Sequence, residues 1–223
     1  MELTEHVYAL PLEFEFGGRE MTLYPAAVET PRGLLLLDAG PLGTTDQLAD
    51  GLAEHGHDLA DVAYLVFTHQ DFDHVGGAAA VVEAADPLVV AHAGDAPYVD
   101  GTEDLLKNPG DEPIPYDPVP VDVELQGGER FRTDDGPLSA IFTPGHTPGH
   151  TSFFLGDEGL LLTGDAMNSL DGLGLPPADA TPDMDEAKTS IRRLAELNPE
   201  AVHCYHGGPT DAGAEEMRTL ADD

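Results

Sequence analysis

Four side chains able to bind a metal crowd into six positions of one short stretch, His69-Gln70-Asp71-Phe72-Asp73-His74. Imidazole nitrogen and carboxylate oxygen together suit zinc, iron or manganese. Two aspartates this close repel one another unless a cation lies between them. The chemistry on offer is water activation. Two neighbouring cations can share a water, lower its pKa toward neutrality and present hydroxide to an electrophilic carbon.

Several elements must position these groups. The apolar run from Ala63 to Phe67 reads as a buried strand, and Gly76-Gly77 then open a helix over Ala78 to Ala85. His69, Asp71, Asp73 and His74 are therefore expected in a strand-to-helix loop. Ligand-type residues recur where other strands end. Leu138 to Phe142 runs into Thr143-Pro144-Gly145-His146-Thr147-Pro148-Gly149-His150. A hairpin of Ser152 to Leu155 and Leu160 to Thr163 ends at Gly164-Asp165, and Ala201 to Tyr205 ends at His206-Gly207-Gly208. Asp38 closes the strand Leu34 to Leu37, as supporting residue or turn residue. Presenting side chains from several strand ends is how a rigid sheet builds a site.

The remaining chain reads as short strands with a few helices. Val7 to Leu10, Glu13 to Phe16, the turn Gly17-Gly18 and Met21 to Val28 suggest strands and a hairpin. Thr44-x-x-Gln47 has the capping-box pattern, ahead of a helix with Leu48 and Leu52 on one face. His55 and His57 read as surface residues and His92 as structural. Residues 93–120 carry Pro97, Pro109, Pro113, Pro115, Pro118 and Pro120, which forbid long regular elements. Such a segment is a lid, a binding loop or a plain surface excursion. Asp183 to Leu197 and about Asp211 to Leu220 read as helices. Cys204 is two residues from His206 in the last strand, so alternation places both on one face, with Cys204 as a small packed residue.

Composition narrows the partners. Of 223 residues 43 are acidic and 9 basic, a formal net charge of −34, and Lys107 and Lys188 are the two lysines. A surface this negative repels itself in dilute buffer and is relieved by molar salt. The expectation is a cytoplasmic protein of a salt-accumulating organism. Nucleic acid is a poor partner for such a surface. The single cysteine rules out an internal disulfide. No secretory signal pattern and no apolar run of about 20 residues is found, which argues against a membrane partner. An oligomer stays open.

In order along the chain, His69-x-Asp71-x-Asp73-His74, His146 in Thr-Pro-Gly-His-Thr-Pro-Gly-His, Asp165 and His206 resemble the metallo-β-lactamase superfamily. Asp38 in Leu-Leu-Leu-Asp-Ala-Gly matches the aspartate that supports its site. The resemblance spans nearly the whole chain. It implies an α/β fold, an αββα sandwich of two mixed β-sheets flanked by helices, as a single domain over 1–223. It implies site one from His69, Asp71 and His146, site two from Asp73, His74 and His206, and Asp165 as the bridge. Asp38 and His150 would support them. Asp71 departs from the family pattern, which has a histidine there. The carboxylate hardens site one toward iron or manganese, or leaves it weak.

By the same resemblance two divalent metal ions are the cofactors, zinc first among the candidates. The activity implied is hydrolysis of a small-molecule ester, lactone or thioester by a metal-bound hydroxide, with Asp73 or a bound water protonating the leaving group. With few residues after His206, neither the helical domain of glutathione-thioester hydrolases nor a nuclease cap is expected. The alternative is a mononuclear iron oxidoreductase of the same fold, handling sulfur or oxygen.

Overall fold

The computed structural model describes residues 1–107 and 116–222. Strands β1 (Glu2–Thr4) and β2 (Val7–Ala9) lead into a two-stranded hairpin, β3 (Leu12–Phe16) and β4 (Arg19–Leu23). The sequence suggests continuous strand from Met21 to Val28, but Pro25 cannot extend a ladder. There the chain leaves the hairpin and enters the first sheet as β5 (Ala26–Thr30). After β6 (Gly33–Leu37) comes helix α1 (Thr45–Glu54), which buries Leu48 and Leu52. The expected capping box is absent. Thr44 Oγ1 donates instead to Pro41 O at 2.9 Å, and the Gln47 amide pairs with both backbone groups of Glu13 at 2.8 and 3.0 Å. That bridge fastens the hairpin to α1.

Next come β7 (Val62–Val66), a helical turn α2 (Phe72–Val75), α3 (Ala78–Ala85) and β8 (Leu88–His92). Between β8 and β9 (Val123–Leu125) lies one more helical turn, α4 (Ala96–Val99). Of the proline-rich segment, Pro109, Pro113 and Pro115 lie outside the described residues. The second half runs β10 (Arg130–Thr133), β11 (Gly136–Phe142), β12 (Thr151–Leu155), β13 (Leu160–Leu162), α5 (Met184–Ala195), β14 (Ala201–Cys204), β15 (Gly208–Thr210) and α6 (Ala214–Asp222). Asp183 caps α5 by accepting from Glu186 N–H at 2.9 Å.

Seven strands form one sheet in the order β1-β2-β5-β6-β7-β8-β9, and six form the other in the order β10-β11-β12-β13-β14-β15. Both are mixed: β6, β7, β8 and β9 pair in parallel, as do β13 and β14, and the remaining pairs are antiparallel. Leu35, Leu37, Val66 and Val90 of the first sheet pack on Leu138, Phe153, Leu155 and Leu162 of the second. The outer face of the first sheet is covered by α1 and α3 through Leu48, Leu52, Ala78 and Val81. The outer face of the second is covered by α5 and α6 through Ile191, Leu194, Met217 and Ala221. This is an αββα sandwich. Alternation in the strands dictates it, since β6 sends Leu34 and Leu36 outward and Leu35 and Leu37 inward. Parallel pairing sets the ends of β6 and β7 side by side, and likewise those of β13 and β14. Asp38, His69, Asp165 and His206 all follow these ends.

Candidate metal centre

The loop after β7 is shaped from behind by Asp38. Its carboxylate accepts from Thr68 N–H and Thr68 Oγ1, each at 2.8 Å, and lies 2.8 Å from His74 Nδ1. Asp38 adopts a left-handed backbone (φ 65), which an aspartate tolerates better than a branched residue. The sequence places a loop through His74, whereas the structure has a helical turn from Phe72. His74 N–H and Val75 N–H both donate to Asp71 O, at 2.9 and 3.1 Å. The turn sends Asp73 and His74 toward the same cluster. Gly77 follows because a Cβ there would stand 2.4 Å from Ala39 O.

All seven ligand-type residues converge. His69, Asp71 and His146 form one group, Asp73, His74 and His206 a second, and His69, His74 and Asp165 a third, each with its polar atoms within 4.8 Å of one another. Asp71 Oδ2 lies 3.3 Å from His69 Nε2 and 3.0 Å from His146 Nε2. Asp73 Oδ2 is 3.4 Å from His206 Nε2. Asp165 faces both ends, with Oδ1 3.5 Å from His74 Nε2 and Oδ2 3.6 Å from His146 Nε2 and 3.2 Å from His206 Nε2. His69 Nε2, His74 Nε2 and Asp165 Oδ1 are buried without a hydrogen-bond partner among the described residues. Orphaned buried polar atoms call for an explanation. Four imidazoles and three carboxylates aimed at a common space fit divalent cations.

The rings are oriented from outside, as metal-binding histidines require. Nδ1 of His74 meets Asp38, Nδ1 of His69 meets Thr68 Oγ1 at 3.0 Å, and Nδ1 of His146 meets Thr181 Oγ1 at 3.2 Å. That leaves Nε2 of each facing inward. His150 stands one layer back. Its Nε2 accepts from Asp165 N–H at 3.0 Å and its Nδ1 meets Thr143 Oγ1 at 2.9 Å, so it braces Asp165.

Two residues escape sequence reasoning. Asp95, buried, accepts from Gln70 N–H at 3.1 Å, Thr147 Oγ1 at 2.6 Å and Gly149 N–H at 2.6 Å, tying the His69 loop to the His146 loop. Burial raises its pKa to about 6 against those hydrogen bonds. Lys107 reaches in from the proline-rich segment, its Nζ 2.6 Å from Asp71 Oδ2 and 2.7 Å from His146 Nε2. A lysine that is one of only two in the chain was the available signal.

Opposed charges set the ionisation of the cluster. Burial pushes the Asp71 carboxyl up, but His69, His146 and Lys107 outweigh it and hold it well below its usual range. Burial likewise opposes, and His74 and His206 overcome, to keep Asp73 low. Asp165 is held well below its usual range, His206 and His74 outweighing burial. His74 lies well above its usual value despite burial because Asp38, Asp165 and Asp73 surround it. His206 is raised to about 10 against burial by Asp165 and Asp73. His69 falls to about 4, from burial and from His74 beside it.

A cavity of about 550 Å³ opens over the cluster. Phe14, Phe16, Met21 and Phe72 form its apolar wall, and Phe16 packs on Phe72 with ring centroids 5.0 Å apart. Cys204 does not share a face with His206. β14 ends at Cys204, and His206 lies two residues beyond it, bridged to Leu23 outside that strand, so alternation no longer applies. Cys204 is buried under α5 and α6, and burial pushes its thiol to about 12. His55 and His57 are half-buried rather than free on the surface: His55 stacks on Tyr8 at 4.1 Å and His57 Nε2 meets Glu29 Oε1 at 3.0 Å. His92 stacks on Phe142 at 4.3 Å, away from the cluster.

Known proteins share this architecture. Residues 26–206 match the family model of the metallo-beta-lactamase superfamily. The chain is 30% identical over 207 residues to the probable metallo-hydrolase YflN of Bacillus subtilis (strain 168), covering 80% of this chain and 77% of that protein. It is 29% identical over 155 residues to an N-acyl homoserine lactonase of a Bacillus species, covering 68% of this chain and 57% of the relative. The metallo-beta-lactamase from Pontibacter korlensis superposes with a TM-score of 0.79 over 100% of this chain and 98% of that one, at 19% identity, which is a likeness of fold. With the family's pattern of histidines and aspartates gathered at one edge of an αββα sandwich, the chain belongs to the metallo-beta-lactamase superfamily.

Proposed function

We propose that this chain is a metal-dependent hydrolase of a small ester, lactone or thioester. The observation that carries the reading is the convergence of His69, Asp71, Asp73, His74, His146, Asp165 and His206 beneath an open cavity, with His69 Nε2 and His74 Nε2 lacking a hydrogen-bond partner among the described residues. The donor set offers two cation positions. His69, Asp71 and His146 would hold the first and Asp73, His74 and His206 the second, with Asp165 serving both. Divalent ions, zinc foremost, would supply Lewis acidity and a water made acidic enough to attack at neutral pH.

The chain's own residues do the rest. Asp73, ionised and beside His206 at the cavity floor, takes the proton from the attacking water and returns it to the leaving oxygen or sulfur. Asp38, His150 and Thr181 hold the imidazoles and Asp165 in place. Phe14, Phe16, Met21 and Phe72 offer an apolar wall that suits an acyl chain and excludes water from that side. The similarity to an N-acyl homoserine lactonase supports a lactone or other acyl substrate.

The test is hydrolysis of a panel of acyl lactones, aryl esters and acyl thioesters by protein purified in high salt, before and after chelation and zinc restoration. The reading expects chelator-sensitive turnover of at least one class and its loss in Asp73→Ala. Turnover by Asp73→Ala equal to wild type would remove Asp73 from the mechanism.

A further inference from the structure

The strongest feature outside the expected ligand set is Lys107. Its ammonium lies 2.6 Å from Asp71 Oδ2 and 2.7 Å from His146 Nε2, in contact with two of the three groups that make up site one. Those two atoms are themselves 3.0 Å apart. An ammonium has donors and no acceptor, so its 2.7 Å contact asks His146 Nε2 to accept from Lys107, which turns a lone pair toward the space shared with the Asp71 carboxylate. Two such atoms repel unless a cation or a shared proton stands between them. Lys107 supplies that positive charge and donates to both.

The approach of Lys107 is built in. The buried Gln70 amide donates from Nε2 to Asp71 Oδ1 at 2.7 Å, while its Oε1 accepts from Leu106 N–H at 3.0 Å. One side chain thus fixes the Asp71 carboxylate and the backbone just before Lys107. Asp71 is also the position where this chain replaces the family's histidine. A neutral imidazole would give an ammonium no opposite charge, whereas a carboxylate does. The departure at Asp71 and the lysine at 107 are two halves of one ion pair.

We infer that the Lys107 ammonium is a resident competitor for site one, so that the two cation positions fill unequally. Site two, built from Asp73, His74 and His206, takes its ion first. Site one takes a second ion only when Lys107 withdraws toward the cavity that it lines. This rests on the ligand assignment proposed above and adds an order of loading to it. Competition lowers the apparent affinity of site one by the fraction of time Lys107 is away. A doubly charge-assisted contact of this kind makes that factor roughly tenfold to a hundredfold.

The experiment is calorimetric titration of chelator-stripped full-length protein with zinc, backed by elemental analysis, for wild type, Lys107→Met, Asp71→Ala and Lys188→Met. The expected wild-type curve has two unequal steps. Lys107→Met strengthens the second step roughly tenfold to a hundredfold and moves the first little. Asp71→Ala weakens or abolishes the second step only, which identifies it as site one. Lys188→Met, on α5, behaves as wild type. Two equal steps in wild type, or a second step unchanged in Lys107→Met, overturns the inference and leaves the metal-centre reading standing. No zinc uptake by wild type and Lys107→Met alike overturns both.

Discussion

Asp38 Oδ2 sits 2.8 Å from Nδ1 of His74, and both side chains are buried. The contact joins the end of β6 to the helical turn after β7 and fixes which nitrogen of His74 faces inward. Asp38→Asn keeps the shape and tolerates the left-handed backbone but loses the charge. Zinc affinity measured by competition with a chromophoric chelator is expected to fall roughly 10-fold to 100-fold. Unchanged affinity would reduce Asp38 to a turn residue.

Asp165 meets His74, His146 and His206 at once. Asp165→Ala should therefore weaken both steps of a zinc titration, unlike a change confined to one group. An effect restricted to one step would deny it the shared position.

The apolar wall predicts a chain-length preference. Phe72→Ala removes a ring that packs on Phe16 and lines the cavity. Burying one aromatic side chain is worth about 1.5–3 kcal/mol, so KM for a long-chain acyl substrate should rise roughly tenfold or more. A two-carbon acyl substrate should be little affected. Equal effects on both would mean the wall does not hold the acyl group.

His203 gives a pH signature away from the cluster. It is buried, Nε2–H donates to Tyr24 O at 2.9 Å, and burial lowers its pKa from 6.5 to about 4. Between those values the unfolded chain binds the extra proton, so stability rises with pH across the window and is lost as pH falls through it. The loss from pH 6.5 to 4 amounts to about 3 kcal/mol. Chemical denaturation across this range should show that component in wild type and not in His203→Gln, compared as a difference so that the titration of surface carboxylates cancels.

The charge of −34 sets the last expectation. At molar salt the screening length is about 3 Å, which quiets repulsion among surface carboxylates. Stability against urea should climb steeply with KCl if the acidic surface is adapted to high salt, as the composition suggests. Equal stability in dilute buffer and molar KCl would sink that reading.

Much of this was legible because short-range pattern and long-range packing agree. The apolar strand before His69 and the glycines after His74 are local signals, whereas the αββα layering was implied by the family resemblance and not by any alternation of apolar and polar residues, since β6 and β7 are continuous apolar runs. Illegible features depend on partners far along the chain. Gln47 has the spacing of a capping residue but finds Glu13 across the hairpin. Asp95 looks like any acid after a strand until the His69 and His146 loops close on it. Lys107 carries no periodicity at all, and its place follows from Gln70 holding Leu106. β15 includes Gly208 and Pro209, which argue against a strand locally, yet it pairs with β14.

The candidate ligands come from both layers of the sandwich: His69, Asp71, Asp73 and His74 follow β7, while His146, Asp165 and His206 follow β11, β13 and β14. Tyr205 stitches the same seam, donating to Asp73 O at 2.6 Å and stacking on His74. An ion held there is a rivet through two plates whose residues lie far apart in sequence. Loading would couple the plates mechanically, so the rate at which the sandwich splays open would be governed by ion release, and chelation would shorten the protein's lifetime as well as silence its chemistry.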